Sequence, residues 1–266
     1  MRFISLFFRR LANSHPYWWF LGWNIIPKLS FFLPHEKVYY AFLHFAKKDG
    51  GLFLDVGANN GMSALGFHKL IPHYKILSIE ANPQHFFALE KLKLKIRDFQ
   101  FKIVAAGSKL SKLTLYTASF NGIELHTGSS LNPDYMKNGY LHNFSKSVVN
   151  NLKWTEQLID VVPLDDFDLN PDIVKIDAEG FDMEVINGLS STIRKHRPFI
   201  LIEYSLSLKE LMESFCNDFN YSALVYVFDS DSFRLFDINK EEATLFSDSS
   251  PLNVFLIPID KNTFIN

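Results

Sequence analysis

Lys175, Asp177 and Glu179 alternate along the run Asp172-Ile173-Val174-Lys175-Ile176-Asp177-Ala178-Glu179-Gly180-Phe181-Asp182. Its apolar members Ile173, Val174 and Ile176 read as a buried strand. Residues two apart on a strand share a face, so at least two of these charges stand together near the strand's carboxyl end. A central strand seldom holds Lys and Asp unless they are paired. The plain structural account is a salt bridge from Lys175 to Asp177 or Glu179. The chemical account makes Asp177 the group that accepts a substrate hydroxyl proton or holds that hydroxyl in line, with Lys175 and Glu179 setting its orientation and charge. An alcohol is too weak an acid to lose its proton unaided, and a bound divalent cation is the rival way to acidify it.

A second stretch, Leu52-Phe53-Leu54-Asp55-Val56-Gly57-Ala58-Asn59-Asn60-Gly61, reads as a buried parallel strand, a tight turn and a helix start. Open α/β sheets hold nucleotide-like ligands with this geometry, at the carboxyl ends of their strands. Gly57 is expected to take a backbone angle that a side chain forbids, and Gly61 to let the backbone approach a ligand. Asp55 ends the strand where a carboxylate can meet a cationic or hydroxyl-bearing ligand. Glu80 closes the next strand at about the 20-residue spacing of an acid that hydrogen-bonds a ribose hydroxyl pair, against the plain account of a surface strand end. A dinucleotide fingerprint needs glycines at 57, 59 and 62, and Asn59 and Met62 break it. The spacing that fits is acid-x-Gly-x-small/polar-x-Gly, the S-adenosylmethionine loop of class I methyltransferases. That cofactor has no pyrophosphate to cradle, so an Asn carbonyl or amide near its amino-acid tail is useful in place of a third glycine.

These residues need a scaffold of alternating strands and helices. A helix is expected from about Glu36 to Lys47, then the strand at 52–56, a helix over Met62–Leu70 stopped by Pro72, and a strand over Lys75–Ile79. Asn82 and Pro83 make a cap and first helical position, and Phe86, Leu89, Leu92 and Ile96 form the apolar stripe of the helix that follows. Phe101–Ala106 is expected as one strand, with Ala105 and Ala106 small enough for an adenine ring to lie flat at its end. Lys112–Tyr116 pairs nearby. From about Ala118 to Lys153 the pattern is irregular and polar, with Gly128-Ser129-Ser130-Leu131 and Asn132, Asn138, Asn143, Asn150 and Asn151. Such a stretch reads as a functional loop whose hydroxyls and amides suit a polyhydroxylated substrate. Strands follow at Gln157–Val162, 173–176, Phe199–Ile202 (ending at Glu203), Ser222–Phe228 and Asn253–Pro258. Phe181, Val185, Leu189 and Ile193 lie at helical spacing, and a further helix is expected over Leu206–Phe215. The result is a doubly wound, mostly parallel sheet with an antiparallel hairpin of the last two strands at one edge.

Composition excludes more than it assigns. At 266 residues, 47% hydrophobic with 27 Phe, the chain has ample core material for one large α/β domain. A net charge of −2 gives no field to draw nucleic acid, so no nucleic-acid partner is expected. Cys216 stands alone, which excludes an internal disulfide, and a cytoplasmic home follows as the default. Arg2, Arg9 and Arg10 with Trp18, Trp19 and Trp23 suit a segment lying at a membrane surface. A helical cap or a lid over the pocket is the equal alternative. The uncharged stretch from Leu11 to Pro27 falls short of the ~20 apolar residues of a spanning helix.

The two informative stretches, with Glu80 and Pro83 and with Gly128-Ser129-Ser130-Leu131, resemble the FkbM-type family of S-adenosylmethionine-dependent methyltransferases over roughly residues 52 to 205. The resemblance implies a class I methyltransferase (Rossmann-like) fold; with the strands and helices read above, that domain is expected over 51–266, behind an N-terminal aromatic and basic helical segment at 1–50. It implies O-methylation of a hydroxyl, commonly on a sugar or a secondary metabolite, and the leading expectation is a hydroxyl of a carbohydrate or glycolipid. Asp55, Gly57, Ala58, Asn59, Asn60, Gly61, Glu80, Ala81, Ala105 and Ala106 are then the cofactor-binding residues, and Asp177, Lys175 and Glu179 the catalytic ones. Two positions depart from the family pattern: Ala81 stands where proline is usual, and Asp182 where Glu is. The competing readings are a non-catalytic cofactor-binding module with the same fold and an NAD-type oxidoreductase. The first leaves the costly charges at 55, 80, 175, 177 and 179 without a use, and the second fails on its glycines. Cys216 has no neighbours with zinc-ligand spacing, and a divalent metal stays open as the rival to a carboxylate base.

Overall fold

The computed structural model describes residues 36–120, 123–132, 149–204, 208–237 and 252–264. The N-terminal arginines and Trp18, Trp19 and Trp23, and with them the expected membrane-surface or lid role, lie outside the described residues, as do Asn138 and Asn143. In chain order the first elements are β1 (Leu52–Val56), α1 (Met62–Leu70), β2 (Lys75–Glu80), α2 (Phe86–Lys93) and β3 (Phe99–Ile103). Then come β4 (Ala105–Ala106), β5 (Ser111–Phe120), β6 (Ile123–Ser130), β7 (Leu152–Val162), β8 (Ile173–Ile176), α3 (Asp182–Asn187) and α4 (Ser190–His196). The last are β9 (Phe199–Tyr204), α5 (Lys209–Phe219), β10 (Tyr221–Val227), β11 (Ser232–Leu235) and β12 (Leu252–Pro258).

A strand that is apolar on both sides needs cover on both faces, and β1 has it. Phe53 joins a buried cluster with Tyr39, Phe42, Phe67 and Phe255, while Leu54 and Val56 join another with Val174, Ile176, Leu189 and Ile202. The rings of Phe53 and Phe67 stack at 3.9 Å, and burying each such side chain contributes roughly 1.5–3 kcal/mol. On the Phe53 face lie α1, α2 and a 3-10 turn at Lys37–His44; α3, α4 and α5 supply the other face. Among the described residues the main sheet runs β11-β10-β12-β9-β8-β1-β2-β3. β3, β2, β1, β8 and β9 are parallel, and β12, β10 and β11 continue it antiparallel. This is the mostly parallel, doubly wound sheet with antiparallel strands at one edge expected from the sequence.

Several expectations on detail are corrected. The expected Phe101–Ala106 strand is two: the chain bends at Val104, so β3 stays in the main sheet and β4 pairs with β7 in a second one, ordered β4-β7-β5-β6. At both ends of the stretch expected to be irregular the described residues are strand, at 118–120, 123–130 and 152–153, with β5 paired along its length to β7 and at its end to β6. The antiparallel ribbon of β5, β6 and β7 packs through a small apolar strip, Leu115, Ile159 and Val161 with Ala105. The last two expected strands do pair antiparallel, but β12 lies inside, between β9 and β10, and the unforeseen β11 takes the edge. The helix expected over 36–47 is the shorter 3-10 turn, which still buries Tyr39, Ala41 and Phe42. The Phe181–Ile193 stripe is divided between α3 and α4 at Gly188, where a Cβ would lie 2.0 Å from the Gly107 carbonyl oxygen.

Candidate active site

β1, β2, β8 and β9 run parallel, so the residues after them open on one edge of the sheet. Winding reverses at β1, between β2 and β8, which makes that edge the place where open α/β sheets hold ligands. A cavity of about 460 Å³ lies there.

The loop after β1 is held by its backbone. Gly57 sits at φ +79°, and a Cβ on it would fall 1.8 Å from the Asp177 carbonyl oxygen, so the end of β1 is pressed against the end of β8. The N–H groups of Gly57 and Ala58 both donate to the Ile79 carbonyl, at 2.9 and 3.2 Å. Asn59 takes the left-handed conformation that Asn tolerates, φ 51°, and its N–H donates to Glu80 Oε2 at 2.6 Å. Glu80 Oε1 accepts the Asn82 N–H at 2.7 Å. Both oxygens are thereby fixed while each keeps lone-pair capacity, and the side chain lines the cavity. Burial pushes the Glu80 carboxyl up to about 7 against the pull of the two backbone N–H groups.

Gly61 has a different reason from the one expected. It caps α1 at φ +83°, and its Cβ would meet Leu92 Cδ2 at 2.7 Å and Leu89 Cδ2 at 3.1 Å. The glycine lets α2 pack on the helix start, and it does not line the cavity. Asp55 does not line it either. Fully buried, Asp55 accepts from Ser63 Oγ at 2.6 Å and Ser78 Oγ at 3.0 Å through Oδ2, tying α1 and β2 to β1. Its cross-strand partner on β8 is Lys175. Burial raises the Asp55 carboxyl, with Lys175 and the two serines opposing.

The β8 cluster is a working ion pair. Lys175 Nζ donates to Asp177 Oδ2 at 2.8 Å, and the side chains are 8% and 33% exposed, so Lys175 is sunk in the sheet and Asp177 faces the cavity. Burial opposes the charge on Lys175, but Asp177, Tyr39 and Asp55 around it hold the ammonium well above the ordinary lysine value. Glu179, at φ 48°, lines the cavity and its carbonyl accepts from Ser130 Oγ at 2.7 Å. Ser129 Oγ accepts from Asn82 Nδ2 at 3.0 Å, so the two serines clamp β6 to the loops after β2 and β8. Asp182 shapes the β8 turn by accepting the N–H groups of Ala178 and Gly180, at 2.8 and 3.3 Å.

Of the residues expected at the site, Gly57, Ala58, Asn59, Asn60, Glu80, Ala81, Ala105, Ala106, Lys175, Asp177 and Glu179 all line this one cavity. Glu36, Tyr39, His85, Phe181 and Glu203 line it too and carried no role in the sequence reading. Glu203 had a legible signal, an acid at the end of an apolar strand, the same pattern as Glu80. Burial, then the charge of Asp177, push the Glu203 carboxyl up to about 8. Lys175 is the one Lys or Arg among the described lining residues, against carboxylates at 36, 80, 177, 179 and 203. Among the described residues no group of three or more His, Cys, Asp or Glu is arranged to hold a metal ion, and no helix is long and apolar enough to cross a membrane.

An FkbM methyltransferase from Methylobacillus flagellatus KT is similar at 16% identity and a TM-score of 0.49, over 78% of this chain and 44% of that one. The chain therefore spans less than half the length of that protein. A SAM dependent methyltransferase from Aquifex aeolicus is similar at 12% identity and a TM-score of 0.41, over 84% and 92% of the two chains. Fibrillarin from Aeropyrum pernix, in complex with S-adenosyl-L-methionine, is similar at 12% identity and a TM-score of 0.40, over 84% and 77%. No curated protein matches the chain. The profile of the methyltransferase FkbM domain matches residues 55–223, well over half of the 266 residues and the whole span from Asp55 past Glu203, and the chain belongs to that family.

Proposed function

We propose that this FkbM-family methyltransferase takes S-adenosylmethionine as its methyl donor and transfers the group to a hydroxyl of a carbohydrate, glycolipid or secondary metabolite. The observation that carries the reading is Glu80: a buried carboxylate at the end of β2, fixed by two backbone N–H groups, with lone pairs left on the cavity side. That arrangement suits a vicinal hydroxyl pair. Ala81, Ala105 and Ala106 leave a flat, small-residue wall for an aromatic base, and Ala58, Asn59 and Asn60 offer loop groups to an amino-acid tail. When bound, the cofactor supplies a methyl group on a cationic sulfur, which a cavity rich in carboxylates favours.

The chain's own residues then act on the acceptor. Asp177 has one oxygen committed to Lys175 Nζ, so its orientation is set and the other oxygen is left to accept an acceptor hydroxyl. An acceptor rich in hydroxyls suits a wall made of carboxylates and serine hydroxyls, and a phosphorylated one is repelled by the same wall. Calorimetric titration of the purified chain tests the cofactor assignment. S-adenosylmethionine is expected to bind and NAD to give no heat. Binding of NAD with no response to S-adenosylmethionine would overturn the reading.

A further inference from the structure

Glu203 is the cavity acid whose position is matched to that of Asp177. β8 and β9 pair in parallel with Ile176 opposite Ile202, so Asp177 and Glu203 leave the sheet side by side at the cavity. On its other flank Glu203 is paired with Asn253 of β12, and its chain neighbours Ile202 and Tyr204 are buried, so its backbone is fixed. The two side chains differ in what they hold. Asp177 gives Oδ2 to Lys175, whereas the Glu203 carboxylate makes no hydrogen bond or ion pair among the described residues.

We propose that Glu203 is the catalytic base: its carboxylate takes the proton of the acceptor hydroxyl while Asp177, held by Lys175, keeps that hydroxyl in line. The inference rests on the O-methyl transfer reading above. The acceptor O–H bond breaks and its proton goes to a Glu203 carboxylate oxygen. The electron pair left behind forms the oxygen–carbon bond to the methyl group of the sulfonium donor. The carbon–sulfur bond breaks with its pair going to sulfur, which becomes a neutral thioether. Glu203 then gives its proton to water, and the charges balance.

The surroundings of Glu203 suit a proton acceptor near neutral pH. Lys175 on β8 and Asp177 just after it, Asp182 at the start of α3 and Glu36 ahead of the Lys37–His44 turn are the charges around it, and Asn253 on β12 is neutral. Burial and Asp177 raise the carboxyl to about 8, with Lys175 opposing. A base must be deprotonated to act, so turnover is expected to rise with pH through about 8.

The full chain and the near-isosteric Glu203→Gln variant are compared by S-adenosylmethionine calorimetry and by labelled methyl transfer to a panel of methyl glycosides and oligosaccharides across that pH range. Glu203→Gln is expected to keep cofactor affinity, lose ~10²–10⁴-fold in turnover and lose the rise near pH 8. Asp177→Asn, by removing the charge that raises Glu203, is expected to move that rise to lower pH in whatever activity survives. Transfer by Glu203→Gln at wild-type rate with the rise intact overturns the proposal alone. Loss of cofactor affinity in Glu203→Gln overturns it too, by making Glu203 a cofactor-site residue. Cofactor binding by the wild type without transfer to any hydroxyl acceptor overturns the O-methyl reading and this proposal with it.

Discussion

Glu80→Ala is expected to weaken S-adenosylmethionine binding by about 10- to 150-fold, the equivalent of ~1.5–3 kcal/mol for a hydrogen bond to a charged group. Two effects act in the same direction. The carboxylate that would meet the ribose hydroxyls is gone, and the N–H groups of Asn59 and Asn82 lose the acceptors that shape the loop. Glu80→Gln is not a mild control, because its amide nitrogen would face one of those two donors. The wild-type interaction also has a pH signature. Ligand hydroxyls donate to the ionised carboxylate, and in the free chain that group is raised to about 7. Binding therefore favours loss of the proton, and affinity is expected to climb as pH rises through about 7 and to stay flat in Glu80→Ala. Calorimetry on folded variant protein checks both points. Wild-type affinity in Glu80→Ala would remove Glu80 from the cofactor site.

Gly57→Ala is expected to be the most damaging small substitution at the site, costing ~3 kcal/mol or more of stability. Its φ of +79° already disfavours a side chain, and the new methyl would stand 1.8 Å from the Asp177 carbonyl oxygen. That oxygen is backbone at the end of β8, so relief requires β1 and β8 to part. At Gly61 the obstacles are the side-chain ends of Leu92 and Leu89, which can shift, so Gly61→Ala is expected to cost less. Thermal unfolding separates the two. Gly57→Ala should lower Tm by roughly 6–12 °C for a domain of this size, and a loss under about 2 °C would show that the strand ends are not in contact as described.

What the sequence conveyed and what it withheld divide along physical lines. The central strands were legible because a parallel strand covered on both faces is a continuous apolar run, as in Phe53-Leu54 and Ile173-Val174. Glu80 was legible because its spacing from Gly57 reports a strand–helix–strand unit. The second sheet was not, since the apolar cluster that joins β4, β5 and β7 is small, leaving a polar sequence without period. Asn121-Gly122, between the partners Phe120 and Ile123, is nonetheless a dipeptide that favours hairpin connections, and it was the available signal. The surroundings of Asp55 were hidden for another reason. Alternation along β1 and β8 puts Asp55 and Lys175 on one face as cross-strand neighbours, but only packing shows that Ser63 and Ser78 enclose Asp55 while Asp177 reaches the cavity. Glu203 needed the pairing of β8 with β9 before its neighbour was known.

The most direct test of the account is the chemical identity of the methylated product. The purified chain, supplied with S-adenosylmethionine carrying a ¹³C methyl group and a panel of polyhydroxylated acceptors, is followed by NMR of the acceptor. The account expects a new methyl resonance at the shift of a methyl ether, formed by the wild type and lost in Glu80→Ala. Label appearing on nitrogen or carbon of the acceptor, or no label transferred from bound cofactor, would contradict it.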